Sequence, residues 1–204
     1  MKTFTTAAAA AVLLGAMSAP AFAEGGLYGK LSAGALILDD VGGNVGGPPV
    51  SISFDTGWTV SGAIGSQINE NFAIEGELTY LTAEFDQGTA LGVSVPIDGT
   101  LTSILAMLNA NLHPMAGNSF DPYVGAGVGV AFSNTDIKSV GGVPVNADDS
   151  SEDLALQGTA GLNMALGGGT KIGAQYRYIW TDTGGGGVDN ITGHALTLHL
   201  IAAF

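Results

Sequence analysis

The chain has 204 residues, of which 11% are charged and 33 are glycine, and its formal net charge is −13. This length accommodates one domain of ordinary size. With five basic residues the chain has no patch that neutralises nucleic-acid phosphates, and the absence of cysteine excludes disulfides, zinc–thiolate sites and cysteine nucleophiles.

The N-terminal segment has the features of a signal peptide. A basic start at Met1–Lys2 precedes an apolar run from Ala7 to Ala16, and Ala21–Ala23 (Ala-Phe-Ala) fits the small-x-small cleavage pattern. We expect cleavage after Ala23, so that 1–23 are removed and 24–204 form the exported domain. The alternative is a retained anchor, which needs about 18 consecutive apolar residues. Neither the leader nor any later stretch reaches that length.

Eight later segments alternate apolar side chains with small or polar ones, which is the period of a β-strand. Their apolar faces are, in chain order, Leu27, Leu31, Ala33, Ala35 and Ile37; Trp58, Val60 and Ile64; Phe72, Ile74, Leu78 and Tyr80; Ile104, Ala106, Leu108, Ala110 and Leu112; Val124, Ala126, Val128, Val130 and Phe132; Leu154, Leu156, Ala160, Leu162, Met164 and Leu166; Ile172, Ala174, Tyr176, Tyr178 and Trp180; Leu196, Leu198, Leu200, Ala202 and Phe204. The sequence therefore predicts an all-β fold.

Long and short connectors alternate between these segments. The long ones are rich in Gly, Pro, Asn and Asp and span Asp39–Phe54, Asp86–Gly99, Ser133–Ser151 and Thr183–Thr192, whereas Gln67–Asn71, His113–Asp121 and Gly167–Gly169 are short. This arrangement is typical of an eight-stranded antiparallel up-and-down transmembrane β-barrel, with four long outer loops and short periplasmic turns.

The two faces of the predicted strands fit a barrel in lipid. The apolar face contains no Lys, Arg, Asp or Glu, and the other face is small and polar, as the inside of a narrow barrel requires. The alternative is a soluble β-sandwich, whose outer faces are usually well charged. Aromatic residues lie near strand ends, as interface girdles do: Trp58, Phe72, Tyr80, Phe132, Tyr178, Trp180 and Phe204.

Five charged residues fall on the predicted lumen face: Lys30, Glu75, Glu77, Lys171 and Arg177. The third and seventh strands lie opposite each other in an eight-stranded barrel. We therefore expect an ion-pair network that links Glu75 and Glu77 with Arg177, with Lys30 and Lys171 nearby, because buried charges must be paired. Such a network either acts as a gate for small solutes or fills and rigidifies the lumen, and we favour the second interpretation.

Several strand motifs occur together: Gly57–Gly65 (GWTVSGAIG) before Ile74–Tyr80 (IEGELTY), Met107–Ala110 (MLNA) before Asp121–Gly129 (DPYVGAGVG), and Gly173–Tyr178 (GAQYRY) before the terminal Phe204. This pattern resembles the small eight-stranded outer-membrane β-barrels of the OmpA-like and opacity-type group, which includes surface antigens of alphaproteobacteria. The resemblance covers residues 25–204. It is specific for the fold and uninformative about function, because the group contains structural proteins, adhesins and antigens.

The resemblance also implies a role for the C-terminus. In this group the barrel-assembly machinery recognises a last strand that ends in an aromatic residue with apolar residues at alternate positions before it. Phe204, Ala202 and Leu200 fit this signal, although Ala202 is smaller than the aromatic commonly found there. The alternative is that Phe204 serves only as an interface anchor.

The sequence offers little catalytic or cofactor chemistry. None of His113, His194 and His199 has a serine two residues later, as the lipid A hydrolases built on small barrels do, and no carboxylate near His199 and Thr197 completes a triad. The segment Gly167–Lys171 lacks the order of a phosphate loop. The acidic segment Asn146–Asp153 lacks calcium-loop spacing, so it is either a solvated face or a diffuse contact to cation-bridged lipopolysaccharide. We therefore predict no enzyme activity, no cofactor and no specific metal site.

These observations predict a monomeric barrel in a bacterial outer membrane, in contact with membrane lipid and lipopolysaccharide and inserted by the barrel-assembly machinery. The expected function is structural and surface-related, namely envelope integrity and display of acidic loops. Three alternatives stay open: an adhesin or surface antigen that binds host or environmental ligands through its loops, a narrow porin-like channel, and a lipid-modifying enzyme.

Overall fold

A computed structural model describes residues 26–43, 50–183 and 189–204, with the side chain of Asn146 excepted. The predicted signal peptide, with Ala21 and Ala23, lies outside these ranges. Every regular element within them is a β-strand. The described chain has no helix whose length and hydrophobicity would allow it to cross a bilayer.

The ten strands are β1 (Leu27–Leu38), β2 (Val41–Gly43), β3 (Val50–Phe54), β4 (Gly57–Asn69), β5 (Phe72–Ala90), β6 (Val93–Leu112), β7 (Phe120–Val140), β8 (Val143–Gly167), β9 (Thr170–Thr181) and β10 (Ile191–Ala203). Eight of them pair antiparallel in the ring β1-β4-β5-β6-β7-β8-β9-β10, and β10 pairs with β1. The short strands β2 and β3 lie outside the ring, where β3 pairs with residues 85–90 of β5. This architecture confirms the predicted eight-stranded barrel.

Side chains alternate between the lumen and the outer wall, as the period of two predicts. On β5, Glu75, Glu77 and Thr79 are buried in the lumen, whereas Ile74 and Leu78 are exposed on the wall. The wall is strongly apolar throughout the ring, and its large side chains are exposed on β1, β4, β6, β7, β8, β9 and β10 as well. A surface that exposes its apolar residues and buries its charged ones suits hydrocarbon. Within the ring, antiparallel pairing on both sides of each strand also satisfies the backbone groups that lipid cannot.

Two connectors predicted as long loops are continuations of the barrel strands. Residues 86–99 form a hairpin whose turn is Leu91–Gly92, and residues 133–151 form a hairpin whose turn is Gly141–Gly142. Gly141 and Gly142 adopt φ of +59° and +79°, the backbone that a two-residue hairpin turn requires. The prediction of loops was wrong there because two-residue turns and antiparallel pairing hold these polar segments in extended strands. We call this side of the barrel the hairpin end and the other the short-turn end.

Candidate functional site: the barrel lumen

The lumen contains two layers, and one of them was not predicted. Near the hairpin end, buried apolar side chains pack together in what we call the apolar layer: Leu36, Leu38, Leu81, Ala83, Leu101, Leu105, Met107, Ala131, Ala155, Ile179 and Ala195. Phe54 and Phe85, whose ring centroids are 5.1 Å apart, pack against it. The expectation that the inner face is small and polar was therefore wrong in this layer. The signal lay in positions such as Leu105 and Ile179, where apolar residues interrupt the alternation.

Little free space remains within the apolar layer. A cavity of about 20 Å³ lies among its leucines, beside the paired hydroxyls of Ser103 and Ser133. This volume corresponds to about one water molecule. A larger hollow of about 1130 Å³ is lined mainly by outward-facing residues such as Leu31, Ile64 and Leu78, and thus belongs to the lipid-facing wall.

Nearer the short-turn end the lumen is polar, and its first charged group is the pair of Lys30 with Glu75. The Lys30 ammonium donates to Glu75 Oε2 at 2.8 Å, and the Tyr28 hydroxyl donates to Glu75 Oε1 at 2.8 Å. Strand β4 lies between β1 and β5 and presents Ala63 and Gly65 at this level. A Cβ on Gly65 would lie 2.3 Å from the Tyr28 ring, so a glycine there lets Tyr28 cross to Glu75.

The second charged group joins opposite walls of the barrel. Arg177 Nη2 on β9 donates to Glu77 Oε1 on β5 at 2.6 Å, and Nη1 donates to the Thr79 hydroxyl at 3.0 Å. In the amide orientation that satisfies both groups, the Gln175 oxygen accepts from Nη2 at 2.8 Å and from Nε at 3.1 Å. The other oxygen of Glu77 accepts from Asn109 at 2.8 Å. This arrangement satisfies Arg177, whose side chain is 2% exposed.

Lys171 belongs to a third group, which sequence reasoning missed. Its ammonium donates to Asp121 Oδ2 at 3.1 Å, and Asp121 also contacts His113 Nδ1 at 3.0 Å. The expectation that Lys171 joins the glutamate network is thus corrected: it pairs with Asp121 near the short turns. Asp121 is the second residue of β7 and shares the face of Tyr123, so strand parity was the signal that could have revealed it.

The charges of these three groups balance. Lys30, Arg177 and Lys171 face Glu75, Glu77 and Asp121, one base to each acid. Glu75 pairs with Lys30 rather than with Arg177. The small side chains on the intervening strand β4 leave room for Lys30 to extend across β4 to Glu75. Because each of these three carboxylates has a basic partner, the groups avoid the free-energy cost of isolated buried ions.

The three histidines occupy different environments. His113 is buried and its ring stacks on that of Tyr123, with centroids 5.2 Å apart. His199 is also buried and its Nε2 lies 2.7 Å from Asn163 Oδ1. His194 faces the outer wall, where its Nδ1 lies 2.6 Å from the Tyr176 hydroxyl. In the described ranges, the hydrogen-bond partners of these rings include no serine.

At the C-terminus, Leu200 and Ala202 face the outer wall, as the predicted assembly signal requires of its apolar positions. The Phe204 N–H donates to the Leu27 carbonyl at 3.0 Å, which joins the chain end to the first strand. The acidic segment at 147–153 forms part of β8 and not of a loop.

Comparison with known proteins supports this fold. A family model described as "Outer membrane protein beta-barrel domain" matches residues 7–204. Among solved structures, Neisserial surface protein A superposes with a TM-score of 0.58 at 18% identity, covering 88% of this chain and 97% of that one. The attachment invasion locus protein Ail of Yersinia pestis superposes with a TM-score of 0.50 at 15% identity, covering 85% of this chain and 97% of that one. The outer membrane protease OmpT of Escherichia coli superposes with a TM-score of 0.55 at 9% identity, covering 92% of this chain and 99% of that one. Comparison with curated proteins gives no match.

Proposed function

The chain belongs to the outer membrane protein β-barrel family, and we propose that it serves in the outer membrane as a structural barrel with a plugged lumen and surface-displayed hairpins. Its fold neighbours include a surface protein, an attachment protein and a protease, so the fold alone does not select among these functions. The structures of the lumen and of the hairpins have to distinguish between these functions.

The observation that carries the proposal is the apolar layer. Leu36 and Leu105 are 0% and 1% exposed, and they belong to a continuous cluster contributed by seven of the eight barrel strands. An ion would have to shed its water to pass such a layer, and eight strands leave an interior that side chains can fill. The balanced ion pairs below it offer no net charge to attract a solute. Both features support a structural role over a channel.

Conductance in a planar bilayer tests this proposal. The parent protein, inserted from detergent, should leave the bilayer at its baseline conductance. The variant Leu36→Ser/Leu105→Ser, which places hydroxyls in the apolar layer, should show measurable openings. Leu108→Ser, which lies on β6 like Leu105 but faces the outer wall, serves as the control and should behave as the parent does. Stable, ion-selective openings of the parent would establish the channel function instead.

Surface binding is a second candidate function, favoured by the hairpin end. The strands of the hairpins β5–β6 and β7–β8 continue beyond the ends of their neighbours. At their tips the side chains of Leu91 and Val143 are 80% and 65% exposed. Removal of residues 86–98 and 136–148, one hairpin at a time, tests this candidate in cells. Loss of adhesion with unchanged heat-modifiable gel migration would support it, whereas unchanged adhesion in both variants would contradict it.

We also infer that the protein is not an enzyme, since each histidine is engaged by lumen or wall residues rather than by a serine. Incubation of the purified protein with lipopolysaccharide and with a fluorogenic peptide should release no acyl chain and no fluorophore. A release that His113→Ala, His194→Ala or His199→Ala abolishes would overturn this inference.

A further inference from the structure

The outer half of β8 has an edge without a partner strand among the described residues. Strand β9 ends at Thr181, which pairs with Ala155, whereas β8 begins twelve residues earlier at Val143. The last backbone hydrogen bond on that side runs from the Asp182 N–H to the Leu154 carbonyl at 2.9 Å. The described side chains from Val143 to Glu152 are all exposed. This part of β8 is therefore an edge strand, held on one side by β7.

The register identifies the backbone groups that face the open edge. Leu154 bonds towards β9, and β7 and β8 pair without interruption from Leu154 to Ala147. Because hydrogen-bonding direction alternates along an antiparallel strand, Glu152, Ser150 and Asp148 direct their N–H and carbonyl groups to the same open side. The intervening residues bond to β7. The Ser150 N–H meets the Asp149 carboxylate at 2.9 Å, which leaves the amides of Asp148 and Glu152 without a described partner.

The opposite edge of the same outer sheet is short and engaged. The sheet there continues from β5 to β3 and then to β2, which is three residues long. The Gly42 carbonyl of β2 accepts the Asp189 N–H at 2.9 Å. Of the two outer edges, that of β8 is the one with a run of open backbone groups.

Charge selects the occupant of this edge. Asp148, Asp149, Glu152 and Asp153 lie within six residues, and none of them forms an ion pair in the described part of the chain. Two copies of this edge would bring like charges together, which is a known means of preventing edge-to-edge association. A strand with basic side chains would gain the backbone hydrogen bonds and the charge pairing at once.

We propose that the open edge of β8 at Ala147–Leu154 binds an extended, lysine- or arginine-rich segment of another protein, which adds to the sheet as a further strand. Main-chain hydrogen bonds supply affinity in this mode of recognition, and flanking side chains supply specificity. The inference goes beyond the structural role proposed above and shares with it only the barrel fold. A binding failure would therefore leave the conductance result intact.

The test uses the full mature chain in lipid nanodiscs and a ten-residue peptide of alternating Lys and Thr. Two control peptides accompany it: one with N-methyl groups on alternate amides, which keeps the charge and removes the donors, and one of alternating Glu and Thr. At low salt the Lys–Thr peptide should bind, its N-methylated form at least about tenfold more weakly, and the Glu–Thr peptide not at all. Equal binding of the N-methylated peptide, or no binding of the Lys–Thr peptide, would overturn strand addition.

Protein variants and amide exchange locate the site. Asp148→Asn/Glu152→Gln should weaken binding at least about fivefold, whereas Asp86→Asn/Asp98→Asn, which removes the same charge from β5 and β6, should change it less than about twofold. The bound peptide should slow hydrogen exchange at Asp148 and Glu152 and leave Asp149 and Ser151 unchanged. Equal effects of both variants would overturn the site. Concentration-dependent protection of the same amides without peptide would instead identify a second copy as the occupant and overturn the basic partner.

Discussion

Replacement of Arg177 by Met tests the ion pair that crosses the lumen. Met keeps most of the length and volume of the side chain while it removes the charge, so the lost interaction dominates over cavity formation. Glu77 would stay buried, and its remaining donors include the amides of Asn109 at 2.8 Å and Gln157 at 3.2 Å. Breaking one side of a buried pair typically costs about 3–5 kcal/mol. Because two amide donors remain, we expect a loss near the lower end, about 3 kcal/mol in the free energy of unfolding.

Two further variants separate the charge from the packing. Glu77→Gln removes the carboxylate, and the double variant Arg177→Met/Glu77→Gln removes both charges. Since the double variant leaves no uncompensated ion, we expect it to be more stable than Arg177→Met alone. Lys171→Met serves as the control, because the Lys171 side chain is 32% exposed and Asp121 keeps His113 and Asn163 as partners. We expect it to cost less than about 1 kcal/mol.

Urea unfolding in lipid vesicles, followed by tryptophan fluorescence, provides the measurement, and heat-modifiable gel migration reports the closed barrel independently. Trp58 is 52% exposed on the outer wall, so its emission reports transfer between lipid and water. A loss for Arg177→Met no larger than that for Lys171→Met would refute the buried pair. A double variant as unstable as the sum of the single ones would refute the coupling between Glu77 and Arg177.

Two more predictions concern the wall and the chain end. Leu198→Arg on the outer wall should destabilise the barrel in vesicles by about 2–4 kcal/mol, whereas Leu91→Arg at a hairpin tip should cost close to nothing in urea unfolding; equal costs would contradict the lipid-facing assignment. Deletion of Phe204 should lower the amount of folded protein in outer-membrane fractions, while the purified variant still folds in detergent, because the predicted signal acts on assembly rather than on stability. Normal insertion of this variant in cells would leave Phe204 with an anchoring role only.

The sequence sufficed for the wall of the barrel because one physical rule controls it. A side chain that faces hydrocarbon cannot be charged, so alternation from Leu27 to Phe204 determined the number of barrel strands and the lumen position of Lys30, Glu75 and Arg177. The partner of each charge was harder to predict. Pairing depends on the reach of a side chain across a neighbouring strand, and a glycine such as Gly65 decides that reach without appearing in any charge pattern.

The hairpin end shows a second reason why sequence reasoning failed. Segments such as 148–153 are polar on both faces, so no buried face indicates a strand, and their extended form follows from the turn at Gly141–Gly142 and from pairing with β7. The same property leaves the edge of β8 accessible. What escaped prediction in this segment is thus the feature on which the proposed strand addition depends.

The polar and apolar layers have different consequences for the barrel. The Glu77–Arg177 pair joins residues one hundred positions apart on opposite strands, so it forms only when the ring has closed in the correct register. A slip of β9 by one residue would move Arg177 to the hydrocarbon face and leave Glu77 unpaired, at a cost that no apolar substitution carries. The apolar layer tolerates exchange among hydrophobic side chains of similar volume. We infer that the ion pairs reinforce the register that the wall pattern sets and that the leucines seal the lumen. The double variant Arg177→Met/Glu77→Gln should therefore retain its register, because a slipped β9 would still carry Lys171 and Gln175 to the hydrocarbon face.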